Sequence, residues 1–158
     1  MDKNIDVNMN KAKVAVAVKK LSERAVLPVY GSEAAAGADL CACIEHSLNI
    51  LSGQTVFIGT GLALELPEGY AGLVYARSGL AANKGLAPAN KVGVIDSDYR
   101  GEIIVALHNH SAKAALIEPG ERVAQLIITP YVTAAFMEAN KLNTSTRGEG
   151  GFGSTGRK

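Results

Sequence analysis

The sequence lacks the features that would place it among membrane-spanning or nucleic-acid-binding proteins. It has no tryptophan, only 5% aromatic residues, and no apolar run near the ~20 residues that a membrane-spanning helix needs. Its 16 basic and 15 acidic residues almost cancel, whereas a surface that binds nucleic acid is usually rich in basic residues. We therefore expect no membrane partner and no nucleic-acid partner.

Cysteine is also scarce. Cys41 and Cys43 are too close together to staple a fold, and they lack the CxxC spacing of a metal site. We read them as small apolar side chains on one face of a strand. Residues 1–12 are rich in Asn, Lys and Asp and lack the apolar centre of a secretory signal, so we expect a disordered leader. Reduced thiols and no export signal predict a cytoplasmic protein, with the nucleus also open to it in a eukaryote.

What the chain does contain is a series of short β-type runs separated by turn residues. Its 158 residues suffice for one domain with a buried core, which we place at 13–139. One helix of about two turns is expected at 77–85. This spacing predicts an all-β fold, a jelly-roll-like antiparallel β-barrel. The predicted strands are Val14–Val18, Ala38–Cys43, Ser47–Leu51, Thr55–Ile58, Leu62–Leu66, Tyr70–Ala76, Val94–Ile95, Ile103–Leu107, Ala114–Ile117, Val123–Thr129 and Ala134–Glu138.

The stretch from Asn90 to Ile103 has the pattern of a β-hairpin. An apolar pair leads into Asp96, a polar turn ends at Gly101, and a second apolar run follows. Such a hairpin can open at its mouth into a slot one planar ring wide, lined by backbone N–H and C=O groups. Asp96 would lie at the lip of the slot and Tyr99 beside it. Charged turns are common, however, so this stretch alone equally fits an ordinary surface hairpin.

The composition changes after Ala139. Residues 140–158 have no apolar period and contain five of the 17 glycines. The segment therefore has the composition of a disordered tail. It also has a second interpretation, because glycines that expose backbone N–H groups beside Arg, Ser and Thr can wrap a phosphate. Phe152, a lone aromatic residue in this tail, could stack on a base.

Three further stretches could contact an anionic ligand, and each has an ordinary alternative. Arg77-Ser78-Gly79 opens the expected helix, where free N–H groups favour phosphate, although a serine N-cap is equally common there. Gln125 lies inside an apolar strand, either as an outward-facing residue or as an amide donor. Asp39 enters a strand, where it could also stabilise a turn. The spacing of His108–His110 suits neither zinc nor a catalytic triad, so we interpret these residues as structural.

Five stretches together carry a resemblance that none carries alone. They are Ala36–Ala42, Ala76–Ala81, Gly93–Gly101, Glu121–Leu126 and Arg147–Gly156. In order and spacing they closely resemble the five motifs of the trimeric deoxyuridine triphosphatases (dUTPases), from about residue 24 to the end of the chain. There are two small departures. They are Ala76, where the family more often has Gly or Pro, and Glu149, at a variable tail position.

The resemblance implies an enzyme that hydrolyses dUTP to dUMP and pyrophosphate, which keeps uracil out of DNA and supplies dUMP for dTMP synthesis. It also implies a homotrimer whose sites lie between subunits. Asp96 would deprotonate the water that attacks the α-phosphorus. Tyr99 would lie against C2′ of the sugar and leave no room for a ribose hydroxyl. The residues that would read uracil are Gly93, Val94, Ile95 and Ile104 through their backbone groups, assisted by Asn90.

The resemblance assigns the phosphates and the cofactor as well. Mg²⁺ would bridge the three phosphates and keep several waters, and Asp39 would contact those waters rather than the ion. The tail would close over the γ-phosphate and the base. Arg77, Ser78, Gly79 and Gln125 would hold the phosphates. The closing tail residues would be Arg147, Phe152, Gly153, Ser154 and Thr155.

Two alternatives share the fold and the nucleotide. A dCTP deaminase-like enzyme would need a catalytic glutamate near the base and lacks this glycine-rich tail pattern; release of ammonia from dCTP would identify it. A nucleotide-binding regulator that does not hydrolyse its ligand would have lost the catalytic carboxylate. Because Asp96 and the tail pattern are both present, the hydrolase is the reading we carry forward.

Overall fold

The computed structural model describes residues 13–151, which form eleven β-strands and one short α-helix. The expected leader lies outside these residues, and the domain boundaries at 13, 139 and 140 stay predictions. In chain order the elements are β1 (Ala17–Lys20), β2 (Val29–Tyr30), β3 (Ala38–Cys41), β4 (Leu48–Ile50), β5 (Thr55–Glu65), β6 (Tyr70–Tyr75), α1 (Ser78–Lys84), β7 (Leu86–Pro88), β8 (Gly93–Ile95), β9 (Glu102–Asn109), β10 (Ala115–Ile117) and β11 (Arg122–Pro130).

The strands pair antiparallel in three sheets, which confirms the predicted all-β class. One sheet has the order β1-β5-β9-β7, a second has the order β2-β3-β11-β6-β8, and β10 pairs with β4. No helix among residues 13–151 is long and apolar enough to cross a bilayer. The order of strands is far from the chain order, so the fold depends on contacts between distant segments.

The core lies between the sheets and is built by the alternation of side chains along each strand. In β9, Ile103, Val105 and Leu107 are buried while Ile104 points outward. Burying such a side chain contributes roughly 1.5–3 kcal/mol each. The largest fully buried apolar side chains are Leu40, Ile50, Ile58, Leu62, Leu86, Leu107, Ile117, Val105, Val123 and Pro88. The strands that carry the site residues are therefore fixed to a packed interior.

Helix α1 confirms the short helix expected at 77–85. Its N-cap is Arg77, in an extended conformation and without a side-chain capping bond, so the serine N-cap alternative is wrong. Ser78 is the first helical residue. The helix ends at Gly85, whose left-handed φ of 67° is accessible to glycine at little cost, and the Gly85 N–H donates to the carbonyl of Ala81.

Two strand predictions are wrong in detail. The expected runs at 55–58 and 62–66 are one continuous strand, β5, because a bulge near Gly61 carries the chain across the turn-like glycine. The strand expected at Ala134–Glu138 is absent, and the chain after β11 is irregular and exposed as far as residue 151. Phe136 is 97% exposed, which shows that the apolar residues of this segment have no partner surface in the described part of their own chain.

The turn at 96–101 joins two strands of different sheets, so the predicted hairpin pairing is also wrong. β8 pairs with β6, with Gly93 opposite Val74 and Ile95 opposite Gly72, while β9 pairs with β5 and β7. A Cβ atom on Gly72 would lie 3.2 Å from the Cβ of Ile95, and one on Gly93 would lie 3.3 Å from that of Val74. The two glycines therefore let β8 pack closely on β6, a preference that periodicity does not reveal.

Candidate active site

A cavity of about 410 Å³ opens where β8 and β9 diverge. This volume is within the range of about 300–1,000 Å³ that is common for small-molecule sites. Every residue of residues 13–151 that the sequence assigned to the base or the sugar lines this cavity: Asn90, Gly93, Val94, Ile95, Tyr99 and Ile104. The structure therefore brings the base-side candidates together, although the strands around them are not a paired hairpin.

The polar lining of the cavity comes largely from the backbone. β8 is the last strand of its sheet, so one row of its N–H and C=O groups has no ladder partner in the described chain. Side chains add apolar walls: Val94 is 63% exposed and Ile104 is 52% exposed, while Ile95 is buried below them. A planar ring with polar edges fits between such walls.

Tyr99 is held at this cavity by contacts within its own turn. Its backbone N–H donates to the carbonyl of Asp96 at 3.2 Å, and its hydroxyl donates to the carbonyl of Glu102 at 3.0 Å. Arg100 braces the same turn by donating to the carbonyl of Ser97 at 2.6 Å. The ring is nevertheless 46% exposed, so one face remains open to a ligand.

Asp96 lies where two hollows meet. It lines the 410 Å³ cavity, and it also lines an open groove of about 1,180 Å³ formed with the segments around Ala17, Glu65 and Tyr131. Its side chain is exposed. A carboxylate in this position can reach both a ligand in the cavity and water in the groove.

A second group of candidates surrounds Asp39. Arg77 donates to Asp39 Oδ1 from Nε at 2.7 Å, and Arg122 reaches Oδ2 from a terminal nitrogen at 3.1 Å. The Asp39 side chain is only 14% exposed, whereas that of Arg122 is 56% exposed. Sequence analysis did not single out Arg122. The signal that could have found it is its position three residues before Gln125, inside the fourth motif.

Gln125 connects this group to the start of α1. It pairs with Asp39 on β3 and with Tyr75 on β6, and its Nε2 donates to the carbonyl of Ala76 at 2.8 Å. A Cβ atom on Gly37 would lie 2.6 Å from Gln125 Oε1, so glycine provides space for the amide. The amide is therefore a half-buried donor to the segment that leads into Arg77, rather than an outward-facing strand residue.

The base-side and phosphate-side candidates do not share one hollow in this chain. None of Asp39, Arg77, Ser78, Gly79 and Gln125 lines the 410 Å³ cavity. In the tail, Arg147 donates from Nε to the carbonyl of Gly150 at 2.7 Å. The remaining tail candidates, Phe152, Gly153, Ser154 and Thr155, lie outside the described residues.

The metal-ligating side chains of residues 13–151 do not form a protein cage. No group of three His, Cys, Asp or Glu side chains in this range could hold a metal ion. Asp39 has both oxygens engaged by guanidinium groups. Such a chain fits a Mg²⁺ ion whose ligands are mainly phosphate oxygens and waters.

The cysteines and histidines lie in structural surroundings. Both thiols are free and half-buried, and burial, followed by the charge of Asp39, raises the pKa of Cys41. A thiol with a raised pKa is a poor nucleophile at neutral pH. His108 shares a 2.8 Å hydrogen bond with Thr55, and fully buried Asn109 donates to the carbonyl of Ile50. These contacts support the structural interpretation of 108–110.

Comparison with known proteins decides the family. A sequence model of the dUTPase family matches residues 23–156. The chain belongs to the dUTPase family. A deoxyuridine 5'-triphosphate nucleotidohydrolase of Desulfitobacterium hafniense is 48% identical over 149 residues, which cover 94% of this chain and 99% of the relative. That of Hydrogenobaculum sp. is 48% identical over 141 residues, covering 89% and 97%.

Solved structures agree with this assignment. A dUTPase variant of Staphylococcus bacteriophage 80alpha, solved with dUpNHpp, superposes with a TM-score of 0.83 at 28% identity, over 90% of this chain and 98% of that one. The dUTPase of phage phi11 has the same fold, with a TM-score of 0.74 at 23% identity, and coordinates a structural Mg(II) ion. The activity that the motifs predicted, hydrolysis of dUTP, is therefore confirmed, and neither the deaminase nor the non-hydrolysing alternative is favoured.

Proposed function

We propose that this dUTPase hydrolyses its substrate at sites built by three subunits, with Asp96 as the general base for attack of water on the α-phosphorus. One observation carries the proposal. The cavity between β8 and β9 has an unpaired backbone edge on one wall and an exposed carboxylate at its lip. The bacterial relatives support the cytoplasm as the compartment.

The backbone edge of β8 suits uracil. Uracil presents an acceptor, a donor and an acceptor along O2, N3 and O4, which main-chain N–H and C=O groups of β8 and of Ile104 can complement. Cytosine reverses that pattern at N3 and N4 and would leave buried polar groups unpaired, at a cost of roughly 1–3 kcal/mol each. The methyl group of thymine would collide with the strand. Tyr99, beside the cavity, would exclude a ribose hydroxyl by its ring.

Asp96 would orient the attacking water and accept its proton. Its position between the cavity and the larger groove gives it access to a nucleotide on one side and to water on the other. A positioned general base is typically worth ~10²–10⁴ in rate. The proton leaves the water as the new oxygen–phosphorus bond forms, and the bond to the departing pyrophosphate breaks.

The phosphates would be held by Arg77, the first residues of α1 and Gln125. Two guanidinium groups beside one carboxylate leave one uncompensated positive charge in the Asp39 group. Arg77 is rigid enough to orient an anion, because its side chain is only 25% exposed and is fixed to Asp39. Mg²⁺ bound to the triphosphate would neutralise part of its charge, and Asp39 would be the side chain nearest the waters of that ion.

A trimer would complete the site. The base-side cavity and the Asp39 group belong to different hollows of one chain, so the triphosphate needs both to be supplied by neighbouring subunits. The chain after β11 also exposes apolar side chains that a partner surface would cover. Val132, Phe136, Met137 and Leu142 are between 82% and 97% exposed.

The tail would close the assembled site. Ten residues separate Leu142 from Phe152, which at ~3.3 Å per residue allows a reach of about 33 Å, enough to cross to another subunit. Arg147 would pair with the γ-phosphate, and Phe152 would cover the base. The other residues of this closure would be Gly153, Ser154 and Thr155.

A pyrophosphate-release assay over dUTP, UTP and the four standard deoxynucleotides tests the proposal. We expect turnover of dUTP in the presence of Mg²⁺ and little turnover of the others. Ammonia released from dCTP would instead identify a deaminase. Binding of dUTP without any pyrophosphate release would identify a regulator that does not hydrolyse its ligand.

A further inference from the structure

The bulge in β5 lies against the turn that carries Tyr99. The pairing of β5 with β9 jumps from Gly59 opposite Ile104 to Ala63 opposite Glu102. Residues 60–62 therefore face only one residue of β9, and we call these three residues the β5 bulge. Gly61, at its centre, has a left-handed φ of 66°, which strains any residue with a side chain.

The carboxylate of Glu102 lies inside the β5 bulge. Its Oε1 accepts a hydrogen bond from the backbone N–H of Gly61 at 2.7 Å and so replaces the missing ladder partner. A Cβ atom on Gly59 would lie 2.5 Å from the same oxygen. The space for the carboxylate thus exists because residue 59 has no side chain.

The bulge itself is fixed to the rest of the fold. The hydroxyl of Thr60, which is fully buried, donates to the carbonyl of Ile103 at 2.7 Å. The carbonyl of Gly61 accepts from the N–H of Leu21 at 2.7 Å, and that of Gly59 accepts from Cys43 at 2.8 Å. The carboxylate of Glu102 is therefore bound to a rigid support.

The other end of Glu102 meets Tyr99. The tyrosine hydroxyl donates to the backbone carbonyl of Glu102 at 3.0 Å. The ring also lies directly on the backbone of Gly101, since a Cβ atom there would come within 2.5 Å of Tyr99 Cζ. The contacts form a continuous path from the core through the bulge and Glu102 to the tyrosine ring.

We propose that Glu102 is a positioning residue that holds Tyr99 in place and thereby sets the discrimination between deoxyribose and ribose. The inference rests on the proposed function, in which Tyr99 faces C2′ of the sugar. It adds what fixes the ring. Glu102 acts through the tyrosine and requires no contact with the substrate. The bulge supports the side chain of Glu102, and the backbone of Glu102 supports the ring.

Two substitutions at Glu102 test the idea. Glu102→Gln keeps an oxygen that can accept from the Gly61 N–H, whereas Glu102→Ala removes it. The measurement is kcat/KM for dUTP and for UTP on the assembled enzyme. A site that rejects an added hydroxyl by shape alone discriminates by about 10², so we expect Glu102→Ala to raise the UTP-to-dUTP ratio about tenfold. Glu102→Gln should stay within about twofold of the parent ratio.

Tyr99→Phe removes the hydroxyl link and should shift the ratio in the same direction. The double variant of Tyr99→Phe and Glu102→Ala should shift it no further, because both changes break one path. Glu65→Gln is the matched control. Glu65 is an exposed carboxylate on the same strand, near Arg100 at 3.7 Å, and its loss should leave the ratio unchanged.

Gly59→Ala provides a second test if Glu102→Ala does not fold. Its Cβ would displace the Glu102 carboxylate from the bulge, so it should raise the ratio as well. Equal loss of kcat/KM for both nucleotides in these variants would overturn the proposal, because a merely structural role lowers both together. A parent enzyme that releases no pyrophosphate from dUTP would instead contradict the proposed function.

Discussion

Asp39 holds Arg77 through two hydrogen bonds, from Nε to Oδ1 at 2.7 Å and from a terminal nitrogen to Oδ2 at 3.5 Å. Arg122 binds the same carboxylate. The side chain of Asp39 is mostly buried, so this pairing is screened less by solvent than a surface ion pair. The carboxylate therefore fixes a guanidinium group whose remaining N–H groups can bind an anion.

Asp39→Ala should weaken binding of the triphosphate, because Arg77 loses the group that orients it. We expect a rise of about tenfold in KM for dUTP, which corresponds to the ~1.4 kcal/mol typical of a lost charge-assisted contact. Binding of dUMP, measured by calorimetry, should change much less since dUMP lacks the β- and γ-phosphates. Glu45→Ala is the control, because Glu45 forms an exposed ion pair with Arg24. An unchanged KM would contradict this role of Asp39.

Asp96→Asn should abolish most turnover while leaving dUTP binding intact. The amide keeps the shape of the carboxylate but cannot accept the proton of water, so kcat should fall by ~10²–10⁴. Steady-state kinetics would measure the fall in kcat, and fluorescence or calorimetric titration would measure binding of dUTP. Asp98→Asn, in the same turn, is the matched control. If Asp96→Asn retains the parent rate, another group is the base.

Light scattering should give a mass of roughly three times the 16.4 kDa of one chain. Replacing Phe136 and Met137 together by aspartate should weaken the assembly, because both side chains are exposed in the single chain and would be buried in a trimer. The isolated subunit should keep its circular-dichroism spectrum, since neither side chain belongs to its core. A monomeric parent that is fully active would exclude the shared site.

Truncation after Asn140 should leave the trimer folded and reduce turnover heavily, since it removes Arg147 and Phe152 but no core residue. Mixing this truncation with Asp96→Asn subunits then tests whether tails act across subunits. Re-assembled mixtures contain some sites with an intact Asp96 and a donated intact tail, so activity should reappear. Mixtures as inactive as both parents would show that each tail serves its own subunit or none.

Sequence reasoning located the strands and the site well where the signal was local. Alternating burial in β9, the glycine that ends α1 and the turn chemistry around Asp96 are all properties of neighbouring residues. The cavity-lining residues were found for the same reason, since they cluster within one stretch of chain. The family motifs supplied their roles.

What the sequence could not show was pairing between distant segments. Nothing in the apolar pattern of β8 indicates that it joins β6 rather than β9. The importance of Arg122 appears only when β11 is placed beside β3, and the role of Glu102 appears only when the β5 bulge is placed beside it. The strand expected at Ala134–Glu138 has strand-like composition, but the described chain offers it no edge to pair with.

The position of β8 at the edge of its sheet has a consequence for how the enzyme can evolve. A base recognised through main-chain groups is recognised by atoms that every residue type carries. Point substitutions along β8 would alter the packing of the ring but not the order of donors and acceptors that it meets. Such a site is buffered against mutational drift in its choice of base, and a different choice would require an insertion or deletion that shifts the strand by one residue.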